Sequence, residues 1–373
     1  MSSVLLRPLL KPALRRLWRD RQTLQLGLDP RRAVLLGGLD PLTSRFVEHL
    51  DGTRDPAQLH EVAERIGLGP ARAAAVLELL AREGVLEDAA GRPTPVPSLP
   101  GARARLGPDL TSLALVHGSG AAGLAVLEHR SRAVVAVHGA GRVGAAVAGL
   151  LAAAGVGHVV PADRRPVRAG DAGPVAHGWD ASRPRRETTV RAALRRLAPG
   201  VRCALPAGRG TPDVAVLVPE GRPDPAPGAR LVHRRVPHLY ADIRETTGVI
   251  GPFVLVGRSA CGRCLDLARS DRDPGWPRLL AQLAAAPGPG DAPCDVVLAT
   301  EVAARAALQV LTFLDGGLPT TVDGTVEIEL PDGLTRRRSW APHARCDCGA
   351  TRPAQEVGPI THGTASGRTQ WVA

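Results

Sequence analysis

The chain has 373 residues and a formal net charge of +11, and its length is sufficient for two domains with ordinary cores. Nearly all of its cations are arginines, Lys11 being the single lysine, and aromatic side chains make up 2% of the residues. The arginines lie in separate segments and few rings are available to stack on bases, so we expect no nucleic-acid partner. The positive charge is compatible with acidic or phosphate-bearing ligands.

No apolar stretch approaches the roughly 20 residues of a membrane-spanning helix. Arginine, lysine and proline interrupt residues 1–18, so this segment has no signal-peptide core. We therefore expect a cytoplasmic protein with no membrane partner. The six cysteines are interpreted as metal ligands or core thiols and not as a disulfide framework.

Residues 1–88 are predicted to form a small winged-helix-like domain. Each of its three helices begins with proline, which suits a first helical turn. The predicted strands are 23–28, 33–36 and 84–87, and the predicted helices are 41–50, 56–66 and 70–82. The same order is compatible with a DNA-binding helix-turn-helix, although the third helix carries only two arginines.

A proline-rich linker is predicted over residues 89–108, which contain five prolines. Strand and helix patterns then alternate over 109–350, which indicates an α/β domain with a doubly wound, mostly parallel, Rossmann-like sheet. The predicted strands are 133–137, 157–160, 213–218, 325–330 and 334–340, and the predicted helices are 142–154, 188–197 and 294–314. Residues 351–373 have no periodic pattern and are expected to be a loose tail.

A glycine-rich loop follows the first of these strands. Gly139, Gly141 and Gly144 form the pattern G-x-G-x-x-G, which suits a tight turn, close approach of a phosphate, and packing of the helix on the sheet. The helix that begins at Arg142 directs free N–H groups toward such a phosphate. Asp163 follows the next strand, where an acidic side chain can accept hydrogen bonds from ribose hydroxyls. These residues, including Arg142, are the predicted nucleotide-binding residues.

Four cysteines form two close pairs. Cys261 and Cys264 form C-x-x-C, and Cys346 and Cys348 form C-x-C. Two such pairs supply the four thiolates of a tetrahedral structural Zn²⁺ site, which would connect the end of the domain to its middle. Cys203 is interpreted as a core thiol. Cys294 is a less favoured candidate nucleophile, because no base is recognisable beside it.

The glycine loop, the following segment 151–157 and Asp163 together resemble the ThiF type of the ubiquitin-activating-enzyme-like family. The resemblance continues through residues 236–239, 249–252, 257–265 and 272–277 to Cys348, and these stretches are similar to ThiF-like proteins of thiazole/oxazole-modified peptide (bacteriocin) biosynthesis. It implies ATP- and Mg²⁺-dependent adenylation of a peptide or carrier-protein carboxylate, a homodimer, and a zinc on the cysteine pairs. Residues 1–88 are similar to the domain that binds a precursor's leader peptide as an added strand in such clusters.

The chain departs from the pattern of active relatives around the nucleotide. Arg165 stands where the family has a second acid, and residues 163–180 contain no asparagine for its Asn-x-x-Arg-Gln run. The resemblance implies that Arg186 replaces the family's phosphate-binding lysine. Glu220 takes the position of its Mg²⁺-binding aspartate, although it is equally a candidate solvated loop residue. Arg186 and Glu220 are the predicted catalytic residues.

Three functions follow from these observations. The first is an adenylyltransferase, and the second is a degenerate scaffold that presents a leader peptide to a separate cyclodehydratase. The third is a dinucleotide oxidoreductase, which is disfavoured because no second domain supplies acid/base residues. Loss of one arginine and one acid could leave nucleotide binding intact and abolish turnover.

Overall fold

The computed structural model describes residues 5–90, 102–175, 184–220, 224–285, 293–350 and 368–371. Only the backbone is described for 102–103 and 368–371. The chain forms two compact units, the first comprising Met1–Val96, Gly107–Val126 and Gly358–Ala373, and the second comprising Pro97–Leu106 and Leu127–Val357.

The first unit contains two small sheets and a group of helices. Antiparallel strands β2 (Arg16–Trp18), β3 (Leu24–Leu26) and β4 (Val34–Gly37) form the larger sheet, and β1 (Pro8–Leu10) pairs with β5 (Leu86–Asp88) in the smaller one. The helices are α1 (Pro41–Glu48), α2 (Pro56–Ile66) and α3 (Pro70–Arg82), followed later by α5 (Gly107–His117) and most of α6 (Gly120–Arg132). Leu36, Phe46, Leu59 and Leu80 are fully buried in its core.

Local sequence explains where the first helices begin. Asp40 caps α1 by accepting from the Thr43 N–H, and Asp55 and Gln58 form a reciprocal capping box at the start of α2. A proline follows each cap because the first helical N–H has no partner inside the helix. Gly67 ends α2 with a φ of 83°, a left-handed conformation in which glycine avoids the steric cost of a side chain.

The second unit is built on a seven-stranded sheet in the order β12-β11-β10-β9-β8-β6-β7. One half of the sheet, from β7 to β9, is parallel, and β9 to β12 are joined by antiparallel pairs. Its strands are β6 (Val134–His138), β7 (His158–Ala162), β8 (Val214–Leu217), β9 (His238–Arg244), β10 (Thr247–Val254), β11 (Gly324–Glu329) and β12 (Leu334–Ser339). This sheet matches the predicted doubly wound α/β class.

Helices cover both faces of the parallel half. Val135 and Val137 of β6 lie in the core that includes α7 (Arg142–Ala153) and α12 (Val296–Leu314), whereas Ala136 lies in a separate cluster with Leu231 of α9 (Pro225–His233). This alternation follows from the two-residue period of a strand. The remaining described helices are α4 (Ala102–Arg105), α8 (Arg186–Leu197), α10 (Gly262–Arg272), α11 (Trp276–Ala285) and a 3₁₀ turn at Ala169–Asp171.

Helix α12 is long and apolar enough to cross a membrane by length and composition alone. It lies against α7 and the strands β9 and β10, and Val302, Ala303, Ala306 and Val310 are fully buried in the core. Its apolar character is explained by this packing on both the sheet and a neighbouring helix.

Two boundaries differ from those expected from the sequence. Residues 107–126 group with the first unit, where Arg32 donates to the Leu115 carbonyl at 2.7 Å. The proline pattern of 89–108 gave no sign of this grouping, and 91–101 of that segment lie outside the described residues. Within the expected loose tail, Arg368–Trp371 form strand β13, which pairs in parallel with β4, and 351–367 lie outside the described part.

Leu151→Ala should destabilise the chain by about 2–5 kcal/mol, because the Leu151 side chain is fully buried in the core and its loss leaves a cavity. Its neighbour Leu150 on α7 is 37% exposed, so Leu150→Ala is the matched control and should cost much less. Urea unfolding followed by circular dichroism measures both. Equal losses of stability in the two variants would contradict the orientation of α7.

Candidate functional site

The glycine-rich loop joins β6 to α7. Gly139 has a φ of 95° and lies so close to the Val218 carbonyl that a Cβ atom would collide with it. Gly141 is the N-cap residue of α7, and Gly144 lies against the Gly139 carbonyl. The tight turn and the close helix packing are therefore both present at the positions that the motif predicts.

Asp163 lies at the end of β7, beside the loop, with 7% of its surface exposed. Its carboxylate accepts hydrogen bonds from the Ala140 N–H at 2.9 Å and from the Arg165 guanidinium at 2.8 and 2.9 Å. Burial would raise the pKa of Asp163, but the hydrogen bonds from Arg165 and Ala140 outweigh it and hold the pKa at about 2. Asp163 is therefore ionised at neutral pH and tied to the backbone of the loop.

Arg186 is the buried cation at the centre of the site. It lies in the first turn of α8 with 5% exposure, and its guanidinium contacts three carboxylates, those of Asp163 (3.3 Å), Glu220 (2.9 Å) and Asp171. Burial opposes the charge of Arg186, but the hydrogen bonds that it donates to Asp171 and Glu220 raise its pKa overall. The guanidinium stays charged and neutralises a cluster that would otherwise be strongly acidic.

Glu220 covers the glycine loop. Its Oε1 accepts from the Gly141 N–H at 3.1 Å, and its Oε2 lies 2.9 Å from both Arg165 and Arg186. Its φ of 56° is uncommon for a residue with a side chain and occurs mostly where local contacts fix the backbone. A carboxylate thus occupies the anion-binding position that the start of α7 provides.

A cleft of about 450 Å³ adjoins the loop. His138, Arg165, Asp224 and Tyr240 contribute its polar lining. Burial lowers the pKa of His138 and raises that of Tyr240, so both side chains are neutral near pH 7. The polar lining of the cleft therefore combines one cation, Arg165, one acid, Asp224, and two neutral side chains.

The structure places the remaining candidate residues as follows. Arg142 donates to the backbone carbonyls of Ala172 at 2.9 Å and Cys294 at 2.5 Å, which holds two connecting segments beside α7. Cys203 is buried in the core. Cys294 is half-buried, and burial raises its pKa, so it has little thiolate character.

The four predicted ligand cysteines converge at one point. Their sulfur atoms all lie within 4.8 Å of one another. The sulfur–sulfur distance is 3.8 Å for Cys261–Cys264, 3.6 Å for Cys261–Cys346 and 3.6 Å for Cys264–Cys348. A tetrahedral zinc site with Zn–S bonds of about 2.3 Å requires sulfur separations of about 3.8 Å. The sulfur separations in this cluster therefore suit a metal ion with metal–sulfur bonds of about this length.

The local structure explains how the cysteines come together. Cys261 is the N-cap of α10, Cys264 lies in its first turn, and Cys346 follows a turn closed by its N–H to the His343 carbonyl. The Nε2 atom of His343 lies at hydrogen-bond distance, 2.8 Å, from the Asp271 carboxylate, and this contact holds the turn against the end of α10. Without a metal, hydrogen bonding from Cys261 lowers the pKa of Cys264 to about 4. A thiolate is thus favoured at the start of a helix.

Sequence reasoning missed two participants in the site. Asp171 accepts from Arg186 in the 3₁₀ turn, where the family pattern directed attention to a missing asparagine. Arg165 was recognised as a departure from the family, but its bridge between Asp163 and Glu220 was not predicted. Arg165, which stands where the family pattern has an acid, is the signal that could have indicated this ion network.

The sequence matches no protein-family model, and it matches no curated protein. Solved structures do resemble it. E. coli MccB with ATP is 13% identical, has a TM-score of 0.65, and aligns over 92% of this chain and 99% of that chain. The microcin C7 biosynthetic enzyme MccB in complex with N-formylated MccA is 13% identical, with a TM-score of 0.64 and coverage of 92% and 100%.

The structure of PaaA is 14% identical, with a TM-score of 0.65 and coverage of 88% of this chain and 99% of that chain. The chain therefore has the fold of these proteins along most of its length. The fold expected from the ThiF-like resemblance is therefore confirmed.

Arg186→Leu should destabilise the chain by about 3–5 kcal/mol, since it leaves three carboxylates without their shared buried cation. Arg196 lies on the exposed side of the same helix, and Arg196→Leu is the matched control, with an expected change within about 0.5 kcal/mol. Chemical denaturation measures both. An Arg186→Leu variant as stable as the control would show that the ion network contributes nothing.

Cys261→Ser should remove most bound metal and lower Tm by roughly 5–15 °C, because binding energy at a thiolate site is folding energy. Cys294→Ser is the matched control, since Cys294 lies outside the cluster, and should retain the metal. Elemental analysis of protein purified without chelator provides the metal content, and calorimetry the Tm. Metal-free parent protein would rule out the site.

Proposed function

We propose that the chain is a ThiF-type ATP-dependent adenylyltransferase that activates a carboxylate of a peptide or small carrier protein. The observation that carries the proposal is the convergence of Gly141, Asp163, Arg186 and Glu220 at the start of α7. These residues combine an anion-binding helix terminus, an acceptor for ribose hydroxyls, a buried cation and a carboxylate of the type that Mg²⁺ prefers. MccB, which has the same fold, was solved with ATP and with MccA.

In the proposed reaction a carboxylate oxygen of the peptide attacks the α-phosphorus of ATP. The bond between this phosphorus and the oxygen bridging to the β-phosphate breaks, and pyrophosphate leaves with the bonding electrons. The Gly141 N–H and the start of α7 would bind phosphate oxygens, while Arg186 would offset the charge that develops in the transition state. Asp163 would accept from the ribose hydroxyls.

Two metal ions fit the donor sets of the described residues. Glu220 would hold Mg²⁺ through its carboxylate once that group leaves the Gly141 N–H, and the ion would neutralise phosphate charge. Zn²⁺ is the ion that suits Cys261, Cys264, Cys346 and Cys348, where its role is structural.

The first unit is proposed to bind the precursor peptide as an added strand, because the outer edge of β4 in its four-stranded sheet pairs with an extended segment, the strand β13. We infer that the protein acts in the cytoplasm as a homodimer, in the biosynthesis of a ribosomally made, modified peptide. A cyclodehydratase encoded separately would be its partner enzyme. The gene neighbourhood provides a direct check, since a precursor or cyclodehydratase gene is expected there.

A second function is favoured by a different observation. Glu220 already accepts the Gly141 N–H, and Arg165 and Arg186 are both engaged by carboxylates, so no cation of the ion network is left unpaired. A site neutralised by its own residues suits a scaffold that keeps the fold and presents a leader peptide without turning over ATP. Binding and turnover must therefore be measured separately.

ATP binding is tested by titration calorimetry with Mg²⁺. We expect Gly141→Asp to weaken binding at least about tenfold, because a carboxylate would enter the phosphate position. Gly69→Asp is the matched control: it adds the same charge at the cap of α3, where a Cβ atom meets nothing within 4 Å. Absence of ATP binding to the parent chain would refute the nucleotide site itself.

Turnover is tested by ATP–pyrophosphate exchange with precursor peptides from neighbouring genes and with small carrier proteins. Exchange that falls at least about a hundredfold in Glu220→Gln, while ATP affinity changes less, would establish adenylation. Glu245→Gln is the control, because Glu245 is an exposed acid outside the ion pairs described for Glu220. ATP binding without exchange by any substrate would contradict the enzyme proposal and support the scaffold.

A further inference from the structure

The outer edge of β4 is occupied by a segment of the same chain. Strand β13, Arg368–Trp371, pairs in parallel with β4, and the register places Arg368 opposite Val34 and Trp371 opposite Gly37. The sheet order is therefore β13-β4-β3-β2, with β13 outermost. Both strands belong to the first unit.

The β4 edge has the properties of a peptide-binding edge. Val34 and Leu36 are buried in the core, with 7% and 1% exposure, so β4 is held rigidly in position. Antiparallel pairing with β3 satisfies one side of β4 and leaves the other side available to an extended partner. Backbone N–H and C=O groups at such an edge pair with a strand of almost any sequence.

The pairing of β13 with β4 is weak enough for another extended segment to displace β13. Four residues form a short strand, and parallel pairs are slightly less stable per residue than antiparallel ones. As part of the same chain, however, β13 competes at an effective concentration of about millimolar. A weak intrinsic interaction can thus still fill the edge for most of the time.

We propose that residues 368–371 are an intramolecular competitor for the peptide site on β4, and that a substrate peptide binds there by displacing them. The identity of the displacing ligand rests on the proposed function, in which the first unit binds a precursor peptide. The occupied edge would reduce peptide affinity and would also protect the edge from pairing with other chains.

Hydrogen exchange and peptide binding test the proposal on the full chain. Thr369→Pro/Gln370→Pro removes two backbone donors from β13, whereas Thr369→Ala/Gln370→Ala keeps them and is the matched control. We expect those amides of Leu35–Gly37 that point away from β3 to exchange hydrogen at least about tenfold faster in the proline variant only. A chain ending at Gly367 should behave like the proline variant.

A fluorescein-labelled peptide with the sequence of residues 366–373 is the binding probe. It should bind the proline variant and the shortened chain at least about tenfold more tightly than the parent and alanine variants, by fluorescence anisotropy. The proposal would be overturned if hydrogen exchange at β4 were equal in the parent, the two double variants and the shortened chain. Equal affinity of these four proteins for the peptide would also overturn it. Loss of β4 protection on dilution, with a dimer seen by light scattering, would also overturn it by assigning β13 to a second copy.

The test separates this inference from the proposed function. Exposure of β4 and binding of the probe, with no ATP–pyrophosphate exchange by any variant, would leave the competitor established and the adenylation proposal wrong. ATP–pyrophosphate exchange, together with hydrogen exchange at β4 that the proline substitutions do not change, would support adenylation and refute the competitor.

Discussion

The hydrogen bond that the Gly141 N–H donates to the Glu220 carboxylate is the interaction on which the candidate site depends. It places a negative charge at the start of α7, and Arg165 and Arg186 balance that charge. Arg186 in turn connects the ends of β7 and β8 and the 3₁₀ turn through three carboxylates. A nucleotide phosphate would need the same N–H, so ligand binding and the ion network compete for one position.

This competition gives a physical meaning to the departures from the family pattern. An acid at position 165 would repel Glu220, whereas Arg165 attracts it and lies across both Asp163 and Glu220. Arg165 thus stabilises Glu220 in its position on the Gly141 N–H. Whether ATP can displace Glu220 is decided by the balance between these ion pairs and the interactions of a magnesium-bound triphosphate.

The parts that sequence predicts well are those set by local chemistry. Proline and aspartate caps, the glycine loop and the two cysteine pairs each act over a few residues. The helices and strands that were predicted lie within a few residues of their observed bounds. Strands β1, β2, β9, β10 and β13 and helices α4, α5, α6, α9, α10 and α11 were not predicted, and neither was the contact of Asp171 with Arg186. The pairing of β13 and the Asp171 contact depend on residues distant in sequence. Periodicity carries no information on such pairings.

A structure of the chain crystallised with ATP and Mg²⁺ tests the nucleotide site most directly. We expect a triphosphate oxygen to accept the Gly141 N–H, the ribose to contact Asp163, and the Glu220 carboxylate to have turned away from the loop onto the cation. Retention of the Glu220–Gly141 hydrogen bond at saturating ATP, with no nucleotide at the start of α7, would contradict the site.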